Sequence, residues 1–320
     1  MIADRVQALD GPFPILETDI GALNLIFSDA FTERYRRDGL VGVRVPPLNP
    51  AIWRYAIEGA AAGAMLWRDG QGRIAAFNLA HHSGVEGWMG PLAVREDLQG
   101  EGRGKTIVNA AIAHLQASRC RVIGLETMPR TMDNIGFYAS LGFVPSRLTV
   151  TLTLDARPAP RAPRLLSSLA PSARDDAIGA CRDLLAKARP GYDYTREIGI
   201  THEHALGDTL LLFDGDELAA FAICHSAPLV DSRARDELRV LKLVARDEAM
   251  IDDIATQLAD LARRTATQRA AIRLQGEYGG AFRRLVRLGA RVRWTDLRMT
   301  LAGFEESPPL SGVALSNWEI

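Results

Sequence analysis

The chain has 320 residues, 47% hydrophobic and 24% charged, with a net charge of −1. That length suffices for two compact units with their own cores, and the even charge balance excludes a protein that coats nucleic acid through a cationic excess. Cys120, Cys181 and Cys224 are too few and too scattered for a disulfide framework or a metal-binding Cys pair, and no apolar run is long enough for a bilayer span.

From the amino end, the first 15 residues carry Asp4, Arg5 and Asp10 and lack an apolar signal core, so a cytoplasmic protein with no membrane partner is expected. Thr18 is placed to cap a helix running through Leu23, Ile26 and Phe27 to about Arg37, ended near Gly39. Asp69-Gly70-Gln71-Gly72 reads as a hairpin turn before the strand Arg73–His81, and Trp88–Val94 reads as the next strand. A helix from about Gly104 to Ser118 presents Val108, Ile112 and Leu115 as one apolar stripe. A β-branched strand (Arg121–Glu126), a short helix ending at Gly142 and an alternating strand (Leu148–Leu154) complete this half. Trp53, Trp67 and Trp88 are expected in the core.

Residues 157–164, with three prolines, can join neither a helix interior nor a sheet ladder and form a semi-rigid linker. It separates a domain over residues 1–156 from one over 165–320. The second half repeats the first. Asp214-Gly215-Asp216 precedes Glu217–His225, in which Ala219-Ala220-Phe221 matches Ala75-Ala76-Phe77 and His225 matches His81. Leu243-Val244-Ala245-Arg246 resembles Leu92-Ala93-Val94-Arg95, and Leu288-Gly289 resembles Leu141-Gly142. The strand Leu238–Ala245, the helix Ile251–Arg264 and the strand Ala271–Gln275 follow in the order of the first half, which reads as an α/β duplication.

The chemistry concentrates between Leu92 and Lys105. A strand runs directly into a helix, with Gly100, Gly102 and Gly104 on alternate positions at the helix start. Glycine there reaches positive φ and lets backbone N–H groups approach a ligand. The unpaired amides and dipole of the first helical turn then make an anion cradle suited to a diphosphate. The G-x-G-x-x-G dinucleotide spacing is absent, and Gly104-Lys105-Thr106 misses the P-loop spacing by one residue.

The pattern Gln99-x-x-Gly102-x-Gly104 after Leu92-Ala93-Val94 instead resembles the pyrophosphate loop of the GNAT superfamily of N-acetyltransferases. Asp133 to Phe143, with Tyr138 before Gly142-Phe143, resembles that family's Tyr-x-x-x-Gly-Phe block, although Thr131 stands where the family often has Asn, with Asn134 nearby. The resemblance implies two tandem GNAT-like domains of α/β (α+β) class, each a mixed, mostly antiparallel twisted sheet flanked by helices. It implies acetyl-CoA as cosubstrate, its diphosphate on the backbone of Gln99, Gly100, Glu101, Gly102, Arg103, Gly104 and Lys105, and its pantetheine along Leu92, Ala93 and Val94. Asn134, Phe137 and Tyr138 would complete the cofactor wall, and Pro91 would mark a bulge or splay where pantetheine pairing begins. No metal is implied.

The reaction implied is direct attack by an amine, on a small molecule or a protein, with the oxyanion meeting an N–H near Ala93 or Val94. Tyr138 takes the family's place for the acid that protonates the departing thiolate. The candidates for base are His81 or His82 at the end of their strand, Glu126 at the end of the next, and Glu86. The second half lacks the loop: the equivalent stretch is Met250-Ile251-Asp252-Asp253-Ile254-Ala255, and Tyr138 maps near Leu285. It reads as a degenerate copy that completes the acceptor cleft or covers a sheet edge. A monomer or homodimer is expected. The competing readings are a non-catalytic acyl-CoA-binding regulatory module and, on Gly104-Lys105-Thr106, a nucleotide hydrolase.

Overall fold

Every element of the first half recurs in the second. In the computed structural model, which describes residues 9–230 and 233–317, the first half runs β1 (Asp10–Pro14), α1 (Ile20–Arg37), α2 (Pro50–Ala60), β2 (Ala64–Arg68), β3 (Ile74–Ser83), β4 (Glu86–Val94), α3 (Arg103–Ala117), β5 (Val122–Thr127), α4 (Met132–Ala139) and β6 (Phe143–Asp155). The second runs β7 (Arg164–Leu165), α5 (Pro171–Ala188), α6 (Thr195–Glu203), β8 (Gly207–Asp214), β9 (Glu217–His225), β10 (Glu237–Ala245), α7 (Met250–Arg264), β11 (Arg269–Gln275), α8 (Gly279–Arg287) and β12 (Arg291–Leu301). One further strand, β13 (Val313–Ser316), follows. Residues 156–163 form neither helix nor strand, and the Ala156 and Arg157 amides donate to Gln268 and Ala259.

Local chemistry explains the boundaries. α1 begins after Asp19 rather than Thr18, which lies in a short 3-10 turn; the Asp19 carboxylate accepts from the Leu16 amide at 2.9 Å. α2 has a start signal that the sequence reading passed over: Pro50 opens the helix and the Asn49 side chain accepts from the Ala51 amide at 3.0 Å. It buries Ile52, Trp53, Ala56 and Ala60. α3 turns Ile107, Val108, Ala111 and Leu115 onto the sheet, and α7 does the same with Ile251, Ile254, Ala255 and Leu258. All three expected core tryptophans are buried.

The strands form one continuous sheet in the order β1-β2-β3-β4-β5-β12-β6-β11-β10-β9-β8-β7, with β13 paired to β10. Among the described residues only β4–β5 and β10–β11 are parallel pairs. The order is a palindrome about the β12–β6 pair. Each half's last strand lies in the other's territory: β12 pairs with β5, and β6 pairs with β11. The two copies are therefore laced together by exchanged strands rather than docked side by side.

Candidate active site

The site begins where β4 leaves β5. The two strands pair over Glu86–Met89 against Val122–Leu125, and then β4 separates. Gly90 and Pro91, joined by a cis peptide, sit at that point, and the register with β3 slips between Ala80↔Met89 and Asn78↔Leu92. The splay expected at Pro91 is present. Beyond it, Arg95 donates its amide to Ala75. Antiparallel alternation therefore turns the Ala93 amide toward β3, and those of Leu92 and Val94 toward the side that β5 has vacated. Of the two expected oxyanion donors, Val94 is placed for the role and Ala93 is not; Leu92 joins it.

The glycine loop closes one end of the vacated strip. Gly100 and Gly102 have φ of +85° and +77°, and Gly102 is the residue from which α3 starts. A Cβ on Gly104 would come within 3.2 Å of the Phe137 ring, so glycine there sets the closeness of loop and α4. The Gln99 side chain donates to the Val94 carbonyl at 2.9 Å, tying loop to strand. A cleft of about 640 Å³ results, walled by residues that include Leu92–Val94, Gln99, Gly100, Gly102, Gly104, Asn134, Phe137 and Tyr138. Three expected cofactor contacts stand outside this wall. Arg103 pairs with Glu101 at 2.6 Å and donates to the Leu98 carbonyl, and Lys105 is exposed to solvent. The Lys105 amide is taken up by the Gly102 carbonyl at 3.0 Å, which leaves the preceding amides of the loop for an anion.

Tyr138 stands in the cleft wall, with Phe137 and Phe143 ring centroids 5.2 and 6.1 Å away. Burial raises its pKa to about 12, so the hydroxyl keeps its proton across the neutral range. Thr131 is consumed structurally: its hydroxyl bonds to Met128 and lies 3.2 Å from that of Thr127.

The expected bases fare differently. His81 is opposite Trp88, at the level where β4 and β5 are still paired, so it lies behind the splay rather than in it. It is buried, its ring nitrogen lies 3.2 Å from the Gly90 carbonyl, and burial lowers its pKa to about 3. The reading of His81 as base is thereby corrected, as is that of His82, which packs toward His114 outside both cavities. Glu86 is fully buried and accepts from the Trp88 indole at 2.8 Å and the Tyr194 hydroxyl at 3.1 Å.

Glu126 does reach the cleft. Burial would raise its pKa, but Arg273, Arg298 and the Thr149 hydroxyl outweigh that effect and hold it below the ordinary carboxylate range. Such a group is a fixed negative charge and a weak proton acceptor.

Its arginine partners come from the second half, and no sequence signal named them. Arg273 on β11 bridges Glu126 and Asp296, the latter at 3.0 Å; Arg298 on β12 pairs with Glu126 at 2.9 Å. Asp296 and Trp294, two positions apart on β12, both line the cleft. The only sequence trace is that alternation: Trp294, Asp296 and Arg298 share one face of a strand. A second cavity of about 400 Å³ adjoins the cleft, sharing Phe31, Tyr35, Glu126 and Asp296 with it. Its far wall is Leu229, Val230 and Leu241 of the second half.

The corresponding place in the second copy is filled by the chain itself. β10 pairs with β11 over Glu237–Val240 and with β13 over Lys242–Ala245. Leu243 and Ala245, the equivalents of Leu92 and Val94, lie opposite Leu315 and Val313. β13 is held there by the Tyr278 hydroxyl, which donates to the Ala314 carbonyl, and by Gln275, which donates to Ser316. α7 starts at Met250 with Asp252 paired to Arg284 where the first copy has its glycines. Among the described residues no cluster of His, Cys, Asp or Glu is arranged to hold a metal ion, and no helix is long and apolar enough to cross a membrane.

Comparison with known proteins agrees with this geometry. Residues 28–143 match the model of the acetyltransferase (GNAT) family. Three solved structures have a similar fold over nearly the whole chain. A proposed acetyltransferase from Pyrococcus horikoshii has a TM-score of 0.67 at 14% identity, over 98% of this chain and 96% of that one. A GCN5-related N-acetyltransferase from Sphaerobacter thermophilus has 0.62 at 14%, over 99% and 100%. A tandem GNAT protein from the clavulanic acid biosynthesis pathway has 0.58 at 13%, over 92% and 98%. A search of curated protein sequences finds no match.

Proposed function

We propose that this chain, whose residues 28–143 match the acetyltransferase (GNAT) family model and whose fold resembles that of a tandem GNAT protein, transfers an acetyl group from acetyl-CoA to an amine in its first copy. One contrast supports this above all: the strip beyond the β4–β5 splay is open and ends at a glycine-lined helix start, whereas the same strip in the second copy is occupied by β13. The open amides of Leu92 and Val94 suit a pantetheine laid down as an added strand. The backbone of Gln99 to Gly104 suits the diphosphate.

The amine attacks the thioester carbon, forming the C–N bond, and the oxyanion takes an N–H from Leu92 or Val94. The C–S bond then breaks, the thiolate takes a proton from Tyr138, and the proton that leaves the new amide nitrogen restores the Tyr138 hydroxyl. The match in acidity is adequate because a thiolate among the cleft's apolar walls is also partly desolvated; burial, with the Glu86 carboxylate, lifts the Cys120 thiol to about 11. Glu126 and Asp296 hold the incoming ammonium, which loses its proton to water before attack.

Release of CoA thiol with acetyl-CoA and a panel of amines tests the reading. Tyr138→Phe is expected to lower kcat by about 10² to 10⁴ with the Kd for acetyl-CoA unchanged. Equal rates for parent and variant with every amine would favour the non-catalytic binding module.

A further inference from the structure

Resting on that reading of the cleft, we infer that the acceptor is a primary amine with a single positive charge and an uncharged apolar body, bound in the 400 Å³ cavity between the two halves. The cavity's inner wall is Phe27, Phe31 and Leu48 from the first half, and its outer wall is Leu229, Val230 and Leu241 from the second. The halves are joined there: Leu48 forms a β-bridge with Val230, and Asn49 donates to the Leu229 carbonyl at 2.9 Å and, from its side chain, to Pro228 at 3.1 Å. The body of a ligand would therefore meet apolar surface from both halves.

Charged groups line this cavity too: Glu126, Asp296, Glu237, Arg239 and Arg273. Glu126 and Asp296 are the two carboxylates lining both this cavity and the cofactor cleft. They sit beside Gly90 and Pro91, where the splay opens. An ammonium drawn to them lies at the junction, with its chain extending into the apolar cavity. Arg273, which also lines the cavity, is committed to the same two carboxylates. Glu237 is committed to Arg269 at 2.9 Å. A second ammonium on the ligand would face Arg239 or the apolar walls, and an α-carboxylate beside the reacting amine would face Glu126 and Asp296. The geometry thus selects against polyamines and free amino acids.

The experiment uses the full chain, acetyl-CoA and thiol release, with methylamine, hexylamine, 2-phenylethylamine, spermidine and phenylalanine as acceptors. Hexylamine and 2-phenylethylamine are expected to exceed methylamine in kcat/KM by at least about 100-fold, from burial of their additional carbons. Spermidine and phenylalanine are expected to fall at or below methylamine. Leu229→Glu, which places a charge in the outer wall away from the cofactor cleft, should lower kcat/KM for 2-phenylethylamine at least about tenfold while the Kd for acetyl-CoA stays at the parent value, showing an intact fold.

Transfer to methylamine or spermidine as fast as to the apolar amines would overturn the inference and leave acyl transfer standing. A preference for phenylalanine, which would mean that Arg239 takes up a carboxylate, would do the same. So would a preference for octanoyl-CoA over acetyl-CoA with no gain from apolar amines, since the cavity would then house the acyl chain. Absence of thiol release with every amine would overturn the acyl-transfer reading and this inference together.

Discussion

Gly102→Asp tests the proposed cofactor site most directly. Gly102 sits at φ +77° with nothing within 4 Å of an added Cβ, so the side chain would enter open cleft. The left-handed backbone costs a non-glycine residue about 1 kcal/mol, a few degrees of melting temperature. The electrostatic effect is larger. A carboxylate about 5 Å from one phosphate charge, at an effective dielectric constant of about 20, costs about 3 kcal/mol; two such charges cost about 6, or more than 10⁴ in Kd. At 100 times the parent Kd, acetyl-CoA should stabilise the parent by about 2.7 kcal/mol and the variant not measurably. The assay is a thermal shift with and without acetyl-CoA, supported by calorimetric titration. Gly102→Ala separates charge from shape. Asp252→Asn in the second copy, which breaks only a partly exposed pair with Arg284, should retain the full shift. A Gly102→Asp protein that keeps the shift, or an Asp252→Asn protein that loses it, would refute the assignment of the site.

Further outcomes follow from the same geometry. Because the attacking amine must be neutral and Tyr138 holds its proton until about pH 12, kcat/KM should rise about tenfold per pH unit from pH 7 to 9; a fall centred near pH 8 would remove Tyr138 as the acid. His81 has a folded pKa of about 3 against about 6.5 unfolded. Between those values the unfolded chain binds the extra proton, so its contribution is intact above pH 6.5 and lost on acidification, at about 1.4 kcal/mol per pH unit. Urea midpoints measured from pH 7 down to 5 should fall less steeply in His81→Gln. Arg298→Met leaves Glu126 and Glu306 without the guanidinium that lies at 2.9 and 3.2 Å from them, and should cost about 3–5 kcal/mol of stability by chemical denaturation. A fragment of residues 1–156 lacks the strand that covers β5, and is expected to aggregate and to regain the acetyl-CoA shift when coexpressed with the remainder. A monodisperse fragment showing that shift by itself would contradict the exchanged-strand topology.

The sequence was most legible where local rules and tertiary demands agree. The hairpin at Asp69–Gly72, the stripe of α3 and the glycine loop each follow from the chemistry of adjacent residues, and each lies where expected. The strand exchange was not legible, because β6 and β12 alternate alike and nothing local says which sheet takes them. Asp296 was missed for the same reason: its place in the cleft depends on that exchange. His81 misled because β3 is covered on both faces, so alternation around it does not separate cleft from core. Its partner across the ladder, Trp88, decides the matter, and register of that kind is fixed only once the bulge at Gly90–Pro91 is known.

The lacing of the two copies bears on why the copy without the glycine loop persists. In a side-by-side duplication the redundant unit can erode or be deleted without harm to its twin. Here, removing the second copy would strip Asp296 and Trp294 from the first half's cleft and bare the flank of β5. The half without the glycine loop is thus held in place by its last strand, which completes the other half's cleft.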